Sequence, residues 1–142
     1  MAQTLTPSEA LDWVFDKPRT AKLGIVTASG APFVAPIWVA RDGDRLVFNT
    51  GVDTAKGKAI ARDPRVCLCF DDEAPPFAFV IVRGTVEISE DLPDVRGWAG
   101  IIAARYMGDD QADAYGERNG VPGELLVTVT PTKITAALDI AD

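Results

Sequence analysis

The chain has 142 residues, 47% of them hydrophobic and 25% charged, with a formal net charge of −7 and no histidine. This is enough for a single domain over residues 1–142 with its own core, and too acidic for a general nucleic-acid binder. It also lacks the imidazole of Ser-His-Asp, Cys-His and nearly all catalytic zinc sites, so no metal site is expected.

The start, MAQTLTPSEALDWVFDK, has neither the basic region nor the unbroken apolar region of a leader. No apolar run approaches the ~20 residues of a membrane span. The expectation is a cytoplasmic protein with neither a membrane nor a nucleic-acid partner. Residues 6–17 predict a short amphipathic helix. Thr6 is a good N-cap, Pro7 suits the first helical position and Glu9 completes a capping box. Leu11, Val14 and Phe15 supply its apolar face, and Lys17-Pro18 ends it.

A series of strands follows, separated by turn signals. Ala21–Ala28 is the first, Pro32–Arg41 the second, and Arg45–Thr50 forms a hairpin with it across Asp42-Gly43-Asp44. Arg65–Phe70 is the fourth and Phe77–Ser89 a long fifth, with Phe77–Val82 a buried barrel segment. Glu124–Thr130 and Lys133–Leu138 close the set. Pro36 cannot donate a ladder hydrogen bond, so it marks an edge strand or a bulge. Cys67 and Cys69, one residue apart on a strand, face the same way and cannot easily pair. They read as small buried hydrophobes, with redox or metal use as the alternative.

Two helices interrupt the strands. Thr54–Arg62 is short; a longer stretch after Asp91 runs to about Arg118 with a break near Gly108-Asp109-Asp110. Six or seven short strands with few crossover helices predict an antiparallel barrel, mainly β and α+β overall. Trp13, Trp38 and Trp98 read as core or interface anchors before ring-stacking residues.

The segment with most chemical content is Phe48-Asn49-Thr50-Gly51-Val52-Asp53-Thr54-Ala55-Lys56-Gly57-Lys58-Ala59-Ile60. A strand ends, turns through a glycine and enters a helix capped by Asp53 or Thr54. The free N–H groups and positive dipole end of such a helix suit a phosphate. Lys56, Lys58, Arg62 and Arg65 against Asp53 and Asp63 give a local +2, leaving −9 for the rest of a chain at −7 overall. A basic island on an acidic chain invites an anionic ligand; the plainer reading is a solvated helix face with ordinary lysines.

In this order, several short motifs resemble one family. They are Pro36-Ile37-Trp38, Phe48-Asn49-Thr50, the Thr54-Ala55-Lys56-Gly57-Lys58-Ala59-Ile60 helix, Asp63-Pro64-Arg65-Val66 and Arg83-Gly84. From about Ala21 to Leu138 the chain resembles the split β-barrel flavin and deazaflavin proteins of the pyridoxamine-phosphate-oxidase-like superfamily. The Thr-Ala-Lys-Gly-Lys stretch is similar to the actinobacterial F420-dependent oxidoreductase B branch.

The resemblance implies an FMN-binding-type split barrel that holds coenzyme F420, with FMN as the alternative. Lys56 and Lys58 would bind the cofactor's phosphate or its oligoglutamate tail, helped by Thr54 and nearby backbone amides such as that of Ala55. Asn49 and Thr50 would lie along the ribityl chain or ring edge, with Phe48 in the same motif. Pro36, Ile37 and Trp38 would lie against the ring. FMN-dependent relatives often place another basic residue near Gly57-Lys58-Ala59, which counts against FMN. A homodimer is implied, with the site at the subunit interface. The implied activity is an F420H2-dependent reductase acting on a small organic substrate. An FMN-dependent oxidoreductase and a non-catalytic F420 or flavin carrier are the alternatives. Tyr106, Tyr115, a carboxylate or solvent could deliver a proton; spacing selects none as catalytic.

Overall fold

The computed structural model describes residues 4–142. The first three residues, counted above in the single domain and in the reading of its start, lie outside the described residues. Helix α1 (Pro7–Val14) begins as expected. Thr6 Oγ1 accepts the Glu9 amide at 3.2 Å, and the Glu9 carboxylate accepts the Thr6 amide at 3.0 Å. Two donors that a helix start leaves open are thereby satisfied reciprocally. The helix stops short of Lys17 because its last carbonyls have other partners. Arg105 donates to the carbonyls of Val14, Phe15 and Lys17, and Arg19 donates to that of Trp13.

Seven strands follow among the described residues: β1 (Ala21–Val26), β2 (Pro32–Ile37), β3 (Ala40–Asp42), β4 (Arg45–Gly51), β5 (Arg65–Asp72), β6 (Ala78–Ser89) and β7 (Glu124–Ala137). Helix α2 (Ala55–Arg62) joins β4 to β5, and α3 (Leu92–Met107) and α4 (Ala112–Asn119) lie between β6 and β7. The strands pair antiparallel in the order β2-β1-β5-β6-β7-β4-β3.

The two edge strands, β2 and β3, are consecutive in the chain, separated by Trp38 and Val39. Three Cα–Cα steps reach at most ~11 Å, so the sheet must roll until its edges nearly meet. The product is the expected split β-barrel, mainly β and α+β overall.

Inside the barrel, alternate strand residues pack together. Leu23, Ile25, Phe48, Leu68, Phe70, Val80, Val82 and Val127 are all buried there, joined by Leu11 and Val14 of α1 and Ile60 of α2. Outside it, Val95 and Ile102 of α3 pack on Ala40, Val47 and Leu126. Strand β4 is therefore covered on both faces, which accounts for its unbroken apolar run Leu46-Val47-Phe48. The outward faces of β1 and β2 lack such cover: Val26 is 48% exposed and Val34 66%. Val34, Gly24 and Cys67 form one row across β2, β1 and β5. Cys67 and Cys69 are free and half-buried on that outward side rather than in the core.

Two of the expected strand boundaries change. The strand expected over Pro32–Arg41 turns at Trp38-Val39, where it leaves one sheet edge for the other. The two closing strands are one, β7, with an irregularity in the middle. Gly84 pairs with Pro131 and Arg83 with Lys133, so Thr132 has no register position opposite it on β6, and its hydroxyl donates to the Arg83 carbonyl at 3.2 Å. Pro131 has no N–H for a regular ladder. A Cβ on Gly84 would stand 2.5 Å from the Thr130 carbonyl oxygen, so only glycine fits at the bend. The break after α3 falls at Gly108 (φ 105°), followed by a 3-10 turn over Asp109–Gln111. Pro36 lies on the edge strand β2, whose register with β1 is regular, so the edge reading holds and the bulge does not.

Candidate functional site: a cleft at the start of helix α2

The end of β4 and the start of α2 form one hydrogen-bonded unit. Thr54, rather than Asp53, is the N-cap: its hydroxyl accepts the Gly57 amide at 3.0 Å and donates to the Gly51 carbonyl at 2.7 Å. Thr50 Oγ1 lies 3.1 Å from the same hydroxyl. Thr54 therefore builds the turn, and its hydroxyl is already engaged. A Cβ on Gly57 would stand 2.1 Å from the Gly51 carbonyl oxygen. The glycine lets α2 sit flush on the strand end, which brings its first-turn N–H groups close to β4. The Val52 amide donates to the Gly123 carbonyl at 2.8 Å, tying this turn to the start of β7.

Beside the turn is a cleft of about 330 Å³. It brings together six of the residues singled out from sequence: Ile37, Trp38, Asn49, Thr50, Thr54 and Lys56. Lys56 is half-buried and, among the described residues, makes no ion pair. The Asn49 amide donates to the Leu125 carbonyl at 3.2 Å, which fixes its orientation at the strand end.

Four of the singled-out residues do not line the cleft. Phe48 is fully buried inside the barrel, paired in register with Val127. Pro36 is exposed on the sheet edge, and Ala55 and Lys58 are exposed on α2. Lys58 follows Lys56 by two positions, about 200° around a helix, so the two lysines cannot share one face.

Of the remaining wall, the sequence had singled out only Tyr115, as a proton-donor candidate. Ala99, Ile102 and Ala103 come from α3, Tyr115 and Asn119 from α4, and Glu124 from the start of β7. Burial pushes the Glu124 carboxyl above its ordinary pKa. Of the two candidate tyrosines, Tyr106 is committed elsewhere: its hydroxyl donates to the Arg19 carbonyl at 2.6 Å and accepts the Val39 amide at 3.2 Å.

A larger groove, about 970 Å³, runs between the end of α1 and helices α3 and α4. Its charges are mixed and each of its arginines has a partner. Arg41 pairs with Asp12 at 2.7 Å, Arg96 donates to the Gly120 carbonyl at 3.4 Å, and Arg105 caps α1. None of the motif residues lines it.

The sequence profile of the family described as pyridoxamine 5'-phosphate oxidase matches residues 7–137. The chain belongs to the pyridoxamine 5'-phosphate oxidase family. No curated protein matches it. Among solved structures, a conserved hypothetical protein from Mycobacterium tuberculosis superposes with a TM-score of 0.81 at 20% identity, covering 94% of this chain and 85% of that one. A protein described as an F420 reductase gives 0.64 at 24% identity, covering 87% and 94%. A protein from Mesorhizobium loti described as FAD-binding gives 0.70 at 17% identity, covering 96% and 97%. At these identities the likeness is one of fold.

This member of the pyridoxamine 5'-phosphate oxidase family thus carries, beside a strand-end-to-helix unit, a cleft with an apolar wall and a single lining lysine, Lys56, that makes no ion pair among the described residues. A phosphate-bearing ring ligand fits that donor set. Lys56 and the first-turn amides of α2 that Thr54 leaves free would take the anion, and the exposed indole of Trp38 would offer flat apolar surface beside the buried Ile37.

Proposed function

We propose that the chain is an F420H2-dependent reductase. The observation that carries this reading is the placing of Lys56, half-buried and without an ion pair, on the same cleft as Ile37 and Trp38. When bound, the reduced deazaflavin supplies a hydride to a small organic acceptor. The chain's own residues bind, orient and exclude water. Lys56 and the start of α2 hold the phosphate, Asn49 and Thr50 border the linker, and the wall from Trp38 to Ala99 and Ala103 keeps one side dry. The neighbour described as an F420 reductase supports the choice of cofactor.

FMN is the second reading, favoured by the family's description and by the FAD-binding neighbour. Lys58 is exposed on α2 and does not line the cleft, which leaves Lys56 as its one cation and favours the ligand with the lighter phosphate charge.

The functional unit we propose is a homodimer whose second subunit completes the cleft. Its support is the outward apolar face of β1 and β2, with Val26 and Val34 exposed beside the half-buried Cys67. Burying such a face contributes roughly 25 cal/mol per Å² of apolar surface.

The test is anaerobic mixing of the protein with chemically reduced coenzyme F420 or reduced FMN and a panel of enones, quinones and nitroaromatics. Acceptor-dependent oxidation of F420H2 supports the reading. Turnover with FMN alone moves the protein to the second reading, and tight binding of either without any turnover identifies a carrier.

A further inference from the structure

The cleft's charge inventory is short. Of the described residues that line it, Lys56 is the one cation and Glu124 the one carboxylate. Glu124 makes no side-chain hydrogen bond or ion pair among the described residues, although its neighbours on β7 are buried. Its place is set by backbone. It pairs in register with Gly51, which presents no side chain, and its own amide donates to the Val121 carbonyl at 3.1 Å. A Cβ on Gly51 would stand 3.7 Å from Glu124 Oε1. The carboxyl therefore lies over the turn that leads into α2, at the anion end of the cleft. Trp38, on the same cleft, is held by its stack against Tyr106 of α3.

We propose that Glu124 makes this cleft select a singly charged phosphodiester over a doubly charged phosphomonoester. The inference rests on the function proposed above and sharpens it. A phosphomonoester such as FMN carries about −1.5 to −2 near pH 7, whereas a phosphodiester such as that of coenzyme F420 carries a single charge. One lysine and the partial charge of a helix start, about +0.5, together offer about +1.5, and an ionised Glu124 lowers this to about +0.5, enough for a single negative charge and opposed to a second. Burial, which already pushes the Glu124 carboxyl up, lets the site accept the heavier charge only as the carboxyl takes up a proton. The groups that face it are Lys56 from α2, Tyr115 and Asn119 from α4, and the Thr50 and Thr54 hydroxyls. Of these, Lys56 carries the one formal charge. FMN binding should therefore weaken as pH rises through the Glu124 pKa, more steeply than F420 binding does.

The experiment titrates the full chain with coenzyme F420, FMN and riboflavin (the flavin without its phosphate), for wild type and Glu124→Gln. We expect the variant to bind FMN about tenfold more tightly, the worth of removing one nearby charge from a partly desolvated site. F420 should gain far less, and riboflavin nothing. Unchanged riboflavin affinity also certifies that the variant folds. An unchanged FMN-to-riboflavin ratio, or equal gains for FMN and F420, overturns the inference while leaving the proposed function standing. If the wild type binds FMN but not F420, the function reading and the selectivity inference both fail. No binding of any of the three overturns both.

Discussion

The indole of Trp38 lies flat on the phenol of Tyr106, with ring centroids 5.1 Å apart and planes 8° from parallel. The pair spans the seam of the barrel. Trp38 sits in the two-residue link between the edge strands, and Tyr106 sits near the end of α3. Tyr106 is itself pinned at both hydrogen-bonding sites, by the Val39 amide and the Arg19 carbonyl. One face of Trp38 is thereby covered and its orientation fixed, and 37% of the residue stays exposed at the cleft.

Tyr106→Phe keeps the stack and removes both hydroxyl bonds, leaving the Val39 amide and the Arg19 carbonyl without that partner. We expect a loss of about 1–3 kcal/mol of stability, read by urea unfolding. Ligand affinity should be retained. Trp38→Ala should do the reverse in emphasis, weakening ring binding more than it weakens the fold.

Gly57→Ala opposes two effects of known size. Alanine in a helix interior is favoured over glycine by about 1 kcal/mol. Against that, the new methyl would have to lie 2.1 Å from the Gly51 carbonyl oxygen, a backbone atom that cannot swing aside. Overpacking of this kind costs about 1–3 kcal/mol, so the clash wins. The variant should melt lower than wild type and bind phosphate-bearing ligands more weakly, because α2 has to back away from β4.

How much of this could be read beforehand depended on whether the cause was local. The Thr6/Glu9 capping box, the break at Gly108 and the edge position of Pro36 follow from short-range chemistry and were legible. The corner at Trp38-Val39 was not, because Pro-Ile-Trp-Val-Ala reads as one apolar strand and only closure of the sheet makes it turn. Phe48 was drawn into the site by its place in the Phe48-Asn49-Thr50 motif, but β4 is covered on both faces and a motif cannot say which side chain points to which layer. The gap between the expected strands Glu124–Thr130 and Lys133–Leu138 is instead a bend within β7 that starts at Pro131. Glu124 and Tyr115 reach the cleft from far along the chain, through the β4–β7 pairing and the α3–α4 packing. No spacing within the Phe48–Ile60 segment could have named them.

Acid should loosen the end of α1 before the rest of the molecule. Asp72 accepts from Arg19 Nε at 2.8 Å and pairs with Lys17 at 3.2 Å. The Arg19 guanidinium holds the Asp72 carboxyl below its ordinary pKa. A depressed carboxyl stabilises the fold fully above the unfolded-state pKa of about 3.9 and loses that contribution as pH falls through the lower folded value. Asp72→Asn should therefore be less stable than wild type at neutral pH, and the two should converge in strong acid when melting temperature is followed against pH.

Val34→Glu places a charge in the middle of the uncovered face of β2, where the native valine is 66% exposed. If that face joins two copies of the chain, sedimentation equilibrium should show wild-type dimers and variant monomers, with the melting of each subunit little changed. An unaltered dimer would place the interface elsewhere.

The most direct measurement compares Lys56→Ala with Lys58→Ala in a titration with coenzyme F420, followed by tryptophan quenching. Both variants remove the same charge from the same helix, two positions apart, but only Lys56 lines the cleft. We expect Lys56→Ala to weaken binding about ten- to a hundredfold, the worth of a charge-assisted contact of about 1.5–3 kcal/mol. Lys58→Ala should bind close to wild type. Equal losses in both variants would mean that the helix acts only through its overall charge, and no loss in Lys56→Ala would contradict the cofactor site itself.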